Sequence, residues 1–294
     1  MVYNMEFPDG LLCYCSTSYA HLPTGRYHVM AERAEITILF SDIRSFTTIT
    51  EKLGPQGTVS LLNDYFTIMV ECIQREGGML DKFIGDAIMA GFGVPVAHDD
   101  DADRAVCAAV AMIRELRRWN AQRAAEGRAP IDIGVGLNTD LIVSGNIGSK
   151  KRMDYTMIGD GVNLASRLES ACKQYGSHIL ASEFTYGKLR GTYRAREIDL
   201  VVVKGKTKPV ALYEILDYHS DQTYPRISEA LGYFRDALAQ YRRGDFAGAR
   251  ALFGKVLELN ADDATAKLYV ARCEHLEKVP PPPVWGGVWV MENK

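Results

Sequence analysis

The stretch GGMLDKFIGDAIMAGFG, residues 77–93, decides how the chain is read. Its opening glycine pair suits the end of a preceding helix, because glycine adopts the left-handed backbone there at least cost. MLDKFI and AIMAGF are apolar runs of strand length, and Gly85 between them permits a tight reversal. The segment therefore reads as a buried β-hairpin. Two opposite charges, Lys82 and Asp86, stand four positions apart in it. At this level they are either one ion pair holding the turn or two groups with separate tasks.

The flanking segments set the fold class. Upstream, ITILFSD (36–42) is a β-branched run that predicts a buried strand with Asp42 at its C-terminal end. FTTITEKL and PQGTVSLLNDYFTIMVECIQREGG then predict two helices, with Val59, Leu62, Phe66, Met69 and Ile73 at helical spacing and Pro55 in a first turn. Downstream, residues 100–127 form an amphipathic helix, acidic at its start and basic later, as the helix dipole favours. IDIGVGLNTDLIVSGNIG (131–148) reads as a second strand pair turning near Asn138 to Asp140. GDGVNLASRLESACKQYG (159–176) is a helix, and HILAS, TYRAREIDLVVVKGK and ALYEIL complete a sheet. Helices alternating with antiparallel strand pairs favour an α+β sandwich of ferredoxin-like type over a doubly wound parallel sheet. GVG at 134–136 opens no GxGxxG pattern, so a dinucleotide fold has no support.

The chain has 294 residues, enough for one large domain and a smaller one. Residues 1–33 are expected to be a poorly defined extension, 34–219 the main domain, 223–279 a helical module and 280–294 a Pro/Trp-containing tail. GDFAGARALFGKVLELNADD (244–263) resembles one tetratricopeptide repeat, with Gly244, Phe246, Ala249 and Phe253 on its small and aromatic positions. A lone repeat must bury its face on the main domain, a second subunit or a protein partner. The tail runs through a stiff polyproline stretch to Trp285 and Trp289. A formal net charge of -3 argues against a nucleic-acid binder. No apolar run reaches the length of a membrane span, and the N-terminus lacks the pattern of a secretory signal. The expectation is a cytoplasmic protein, or the cytoplasmic part of a longer membrane-anchored sensor. The six cysteines contain no CxxC pair and read as free thiols, with Cys13-x-Cys15 the one place for metal or disulfide chemistry.

Two constellations carry chemistry. Asp42 and Asp86 each sit at a strand end, and the chain after Asp42 opens a helix whose free N–H groups, at Phe46 and Thr47, suit phosphate. Two carboxylates beside such a cradle point to divalent metal, Mg²⁺ above all, shared with substrate phosphates. Strand-terminal aspartates also serve as plain turn formers, and spacing alone does not separate the two readings. Asn163 and Arg167 are four apart and share one helix face. An exposed polar surface explains them equally well at this level.

Four ordered segments, FSDIRSFT, GGMLDKFIGDAIMAGFG, MDYTMIGDGVNLASRLE and VKGK, resemble the class III nucleotidyl cyclase catalytic domain over residues 34–217. The resemblance implies that Asp42 and Asp86, helped by the Ile43 carbonyl, hold two Mg²⁺ or Mn²⁺ ions. It implies that Lys82 and Thr156 select the purine, Asn163 orients the ribose, Arg167 stabilises charge on the phosphates, and Lys204 contacts the terminal phosphates. Lys151 or Arg152 is a further phosphate candidate. It also implies a homodimer in which the aspartates of one subunit face Lys82, Thr156, Asn163 and Arg167 of the other, so that Lys82 and Asp86 serve different sites.

Lysine offers only donors, which suit the adenine N1 acceptor and oppose the guanine N1–H. Guanylyl cyclases of this family typically carry glutamate at that place. Adenylate cyclase activity on ATP is therefore expected. The threonine form resembles a bacterial subgroup that responds to bicarbonate. The alternatives are a guanylate cyclase and a nucleotide-binding regulatory or scaffold module acting through the C-terminal helices. A diguanylate cyclase would need a GGDEF-like turn where this chain has FIGDAI.

Overall fold

The structure is a computed structural model and describes residues 3–6, 12–15, 32–149, 152–201, 209–279, 281, 285 and 287. Lys151, Lys204 and Trp289 lie outside the described residues, as do the side chains of Arg152, Cys13 and Cys15. Residues 1–33, expected to lack definition, contain β1 (Tyr3–Glu6) and β2 (Leu12–Cys15), paired antiparallel.

The main sheet is built on β3 (Glu32–Ile43), a longer strand than the sequence run suggested. Its side chains alternate, with Ile36, Ile38 and Phe40 in one apolar cluster and Leu39 and Ile43 in another. Both faces are covered, which explains the continuous apolar run. On one side β3 pairs with β5 (Ala87–Phe92), and β5 with β4 (Met79–Ile84). These two strands are the expected hairpin, with Gly85 at φ 67 in its turn. Only β5 is buried. β4 is the sheet edge, and Lys82, Phe83 and Ile84 are exposed.

On its other side β3 pairs with β6 (Ile133–Ser149) along its whole length. Here the sequence reading is corrected. Residues 133–149 form one continuous strand, with no turn at Asn138 to Asp140. The polar residues there make internal hydrogen bonds. Asn138 Nδ2 donates to the Gly161 carbonyl at 2.9 Å and its Oδ1 accepts from Ser182 at 2.7 Å. Thr139 is bonded to Thr37 and Thr185. These residues have turn chemistry, but their hydrogen-bond partners lie 23 to 102 positions away, which no local pattern contains. The far half of β6 pairs instead with β7 (Arg152–Ile158). β8 (Ile179–Ser182) runs parallel to β6, followed in the sheet by β10 (Val210–Ile215) and β9 (Ala195–Val201).

Helices α1 (Phe46–Arg75), α2 (Asp101–Ala125) and α3 (Asp160–Tyr175) pack on this sheet. α1 is two helices joined at Gly54, as the two separate patterns predicted. α3 approaches β6 closely, because a Cβ on Gly136 would overlap the Ala165 carbonyl and the Glu169 amide. The GVG triplet thus serves helix–sheet contact. α4 (Glu183–Tyr186) is a single turn after β8.

The helical module consists of α5 (Ile227–Arg242), α6 (Phe246–Leu259) and α7 (Ala264–Lys278). It shares the main apolar core with the sheet. Ala249 and Phe253 are fully buried, with Phe253 stacked on Tyr269. Trp285 of the tail docks here, donating from Nε1 to the Tyr241 carbonyl at 2.9 Å. The junction is held by buried ions. Arg196 on β9 donates to Glu214 on β10 at 2.8 Å and to both oxygens of Asp263 at 2.7 and 2.9 Å. Asp263 also caps α7, accepting from Ala266 N, and accepts from Tyr224. Burial pushes the Asp263 carboxyl up, but the Arg196 charge and hydrogen bonds outweigh it and hold it below the usual range. Nearby, Arg272 on α7 and Tyr175 at the end of α3 both donate to Asp199 on β9 at 2.7 Å. Of the six cysteines, Cys72, Cys107, Cys172 and Cys273 are free thiols, as expected.

Two outcomes test this architecture by urea unfolding. Gly136→Ala should lose about 1–3 kcal/mol through overpacking. Asp263→Ala, which strips a buried cation of one partner, should lose roughly 3–5 kcal/mol in a single transition seen alike by tryptophan fluorescence and circular dichroism. A module that melts first, with the sheet's transition unmoved, would contradict the shared core.

Candidate active site

β3 carries Asp42 to its C-terminal end, opposite Gly134 of β6. The turn after Gly85 brings Asp86 to the same point. The Ile43 amide donates to Asp42 Oδ1 at 3.0 Å and to Asp86 Oδ2 at 3.3 Å. It is thus the N–H of Ile43 that the structure engages. α3 lies across this end, and a cleft of about 360 Å³ opens between them, lined by Asp42, Asp86, Asn163, Ser166 and Glu169 among others.

The cleft concentrates negative charge. Burial pushes the Asp42 carboxyl up to about 7, reinforced by its hydrogen bond to Asp86 and by the charges of Asp86 and Glu169. Burial likewise pushes Glu169 up to about 6, against the opposing influence of the Ser170 hydroxyl and the Arg44 charge. None of the three carboxylates has an ion-pair partner among the described residues. Arg44, two positions after Asp42, is committed to Asp132 at 3.3 Å and to the Ser177 carbonyl. Half-buried hard oxygens without a counter-ion suit a divalent cation. Among the described residues no group of three or more His, Cys, Asp or Glu is placed to hold a metal ion by itself. The arrangement is an open one that leaves ligand positions for other oxygens.

A second group lies outside that cleft's lining. Thr156 on β7 donates its hydroxyl to Asp81 at 2.8 Å, and Lys82 Nζ stands 3.8 Å from the other Asp81 oxygen. The Lys82 side chain is 44% exposed, that of Asp81 only 1%. Lys82 is therefore paired with its own neighbour rather than with Asp86. The structure brings Lys82 to Thr156, and Asp42 to Asp86 and Asn163. Arg167, one helical turn beyond Asn163, is exposed and is not part of the cleft lining. Phe46 and Thr47 form the first turn of α1, where Ser45 makes no side-chain cap and leaves the amides unclaimed by it.

A family model described as the adenylate and guanylate cyclase catalytic domain matches residues 29–217. The chain belongs to this family. It is 36% identical over 242 residues to "Adenylate cyclase, terminal-differentiation specific" of Dictyostelium discoideum, which covers 81% of the chain but only 11% of that protein. That span is longer than residues 29–217, so the likeness extends beyond the cyclase domain. An adenylate cyclase of Anabaena cylindrica is 39% identical over 63% of the chain and 37% of its own length. The chain thus spans well under half of the curated relatives it matches. Among solved structures, adenylyl cyclase CyaB from P. aeruginosa matches with TM-score 0.60 and 38% identity, over 66% of this chain and 99% of that one. Guanylyl cyclase Cya2 matches with TM-score 0.58 and 39% identity, over 63% and 93%.

Set in this cyclase domain, two residues had escaped the sequence reading. Asp81 and Glu169 both stand inside the quoted motifs, yet nothing local assigns them a task. Glu169 reaches Asp42 only because α3 folds onto β3, 127 positions away in the chain. The one available signal was an acidic residue on the α3 face that also carries Asn163 and Ser166.

The raised Asp42 carboxyl has a sign that can be checked. A carboxyl pulled from 3.8 to about 7 binds its proton more tightly when folded. Its stabilising contribution is complete below the unfolded value and is lost as pH rises through about 7. Asp42→Asn should therefore raise the thermal midpoint of the metal-free protein at pH 8 more than at pH 5. Added Mg²⁺ should raise the midpoint of the parent chain at pH 8 and leave the variant unmoved. Equal midpoints for the two proteins at pH 8 would show that no carboxylate repulsion acts on Asp42 in this cleft.

Proposed function

We propose that the chain is an adenylate cyclase that converts ATP to 3′,5′-cyclic AMP and pyrophosphate. The observation that carries the choice of base is Lys82, a donor held beside Thr156 through Asp81. Overall likeness does not make that choice, since the chain is 38% identical to an adenylyl and 39% to a guanylyl cyclase structure. Lysine meets the acceptor N1 of adenine, where guanine presents a donor.

In the reaction, the ribose 3′-hydroxyl attacks the α-phosphorus in line, the bond to the β-phosphate oxygen breaks, and pyrophosphate departs. Asp42, Asp86 and the Ile43 carbonyl would hold two Mg²⁺ or Mn²⁺ ions, which supply charge neutralisation of the triphosphate and a more acidic 3′-hydroxyl. The protein's own task is chiefly positioning and neutralisation. Asn163 orients the ribose from the rim of the carboxylate cleft. Arg167 meets charge that develops on the phosphates. The first-turn amides of Phe46 and Thr47 cradle phosphate oxygens, and Lys204 contacts the terminal phosphates.

The active form is a homodimer with both sites at the subunit interface. Support comes from the separation of Lys82 and Thr156 from the cleft of Asp42 and Asp86 within one chain. Asn163 lines the cleft of its own chain, so its assignment across the interface needs its own test. The chain is further proposed as a bacterial, threonine-type member of the family, working inside the cell. Its helices α5 to α7 are proposed as a tetratricopeptide-like module whose outer surface takes a protein partner.

Purified protein should form cyclic AMP from ATP with Mg²⁺ or Mn²⁺ and little cyclic GMP from GTP. Arg167→Ala should lower kcat by roughly 10²-fold or more. Lys82→Ala and Asp86→Ala should each be inactive alone and regain part of the activity when mixed, because mixed dimers rebuild one site. A mixture that stays inactive although mixed dimers form sinks the shared-site arrangement. The same mixture of Asn163→Ala with Asp86→Ala assigns Asn163: rescue puts it in the facing subunit's site, and no rescue puts it in its own.

A further inference from the structure

We propose that Asp81 is a specificity-determining residue, which makes Thr156 an acceptor towards the base by taking that residue's only hydroxyl proton. The inference rests on the adenylate cyclase reading and deepens it.

Three observations place Asp81 in this role. First, it stands at an irregularity in the hairpin. Leu80 pairs with Ala90 and Lys82 with Met89, so Asp81 is an extra residue in β4. Regular strand alternation would send neighbouring side chains to opposite faces, and such a bulge re-aims one of them. Asp81 and Lys82 consequently come within 3.8 Å of each other at the same corner. Second, Asp81 reaches a strand that is not its sheet neighbour. β4 is the edge beyond β5, whereas β7 is paired with β6. The Thr156 hydroxyl nonetheless donates to Asp81 Oδ2 at 2.8 Å, and the Met157 backbone adds a second hydrogen bond. Third, the carboxylate is closed off from water, with 1% of its side chain exposed, and Thr156 is itself 7% exposed.

The chemistry follows from counting protons. A threonine hydroxyl has one proton and two lone pairs. With its proton committed to Asp81, it meets a ligand only through lone pairs. Lys82 beside it has only protons to give. The corner therefore offers one donor and one acceptor in fixed order. Adenine presents N1 as an acceptor and its 6-amino group as a donor. Guanine presents the opposite order at the same two places, N1–H and O6. Binding guanine would require turning the Thr156 proton outward and leaving a buried carboxylate short of a donor, which is costly. Threonine alone would be ambiguous, because a free hydroxyl serves as donor or acceptor. Asp81 removes the ambiguity.

The test measures kcat/KM for ATP and for GTP in the full chain. Asp81→Asn keeps the size of the side chain but can turn its amide N–H₂ towards Thr156. It should lower the ATP-to-GTP ratio by about tenfold or more, on the scale of a misread hydrogen-bonding position. Thr156→Val should lower the ratio similarly, Thr156→Ser should preserve it, and adding Asp81→Asn to Thr156→Val should change it no further. A purely structural brace predicts that Asp81→Asn slows both nucleotides by the same factor, and that result would overturn the proposal. So would a Thr156→Val protein with the parent ratio, which keeps the test decisive even if Asp81→Asn does not fold. A parent protein without preference for ATP defeats the adenylate cyclase reading itself. A parent preference that survives in Thr156→Val and in Asp81→Asn defeats only the role of Asp81.

Discussion

A helix can lie as close to a strand as α3 lies to β6 only where the strand has no side chain, and Gly136 supplies that place. The constraint is steric and therefore rigid. It sets the depth at which α3 crosses the end of β3, and so the distance of Glu169 and Asn163 from Asp42. The ends of the helix are tied down separately. At its start Asn138 holds the Gly161 carbonyl, and Ser182 fixes the Asn138 amide in turn. At its finish Tyr175 is anchored to Asp199 and accepts from Thr265 of α7 at its carbonyl. The helix that carries Asn163 and Arg167 is thus registered on the sheet at one end and on the helical module at the other.

The chain buries charge in two contrasting ways. At the junction of sheet and module, each buried ion has a partner of opposite sign. Arg196 meets Glu214 and Asp263, and Arg272 meets Asp199. These ions are paired, and such sites hold parts together. At the end of β3 the rule is broken. Asp42, Asp86 and Glu169 crowd one cleft, and Asp42 is driven up to about 7. A folded protein tolerates such repulsion where a ligand relieves it, which is why displaced carboxyl values point to function. The same residue type therefore reads as cement in one place and as a binding site in another. What separates them is whether a guanidinium is bonded directly to the carboxylate.

Local chemistry in the sequence was sufficient for the hairpin, the long helices and the strand ending in Asp42. Each has its signals within a few residues: the glycines at 77, 78 and 85, the spacing of Leu62, Phe66 and Met69, the β-branched run before Asp42. Reading failed where polar residues spend their hydrogen bonds far away. Asn138, Thr139 and Asp140 look like a turn but lie in the middle of a single strand. Asp81 looks like a solvated neighbour of Lys82 but is buried against a strand 75 positions later. The docking of α7 was equally illegible, because Arg196 and Asp263 are 67 positions apart and either alone resembles a surface charge. Burial of a polar group is a property of its partners, and partners are what one-dimensional patterns do not contain.

The hairpin at 77–93 then has a mechanical meaning. Its outer strand carries Lys82 and Asp81 at the corner shared with Thr156, and its turn carries Asp86 to the carboxylate cleft. Only Phe83, Ile84 and Gly85 separate the two, with Gly85 in the left-handed conformation that a side chain would strain. Phe83 stacks on Phe66 of α1, which fixes the exposed strand without burying it. One short, stiff element thus holds two different polar corners at a set spacing. If those corners serve separate sites, as proposed for the dimer, a displacement of this hairpin must disturb base selection in one site and metal binding in the other together. The hairpin is then the shortest covalent path by which the state of one site can be felt at its twin.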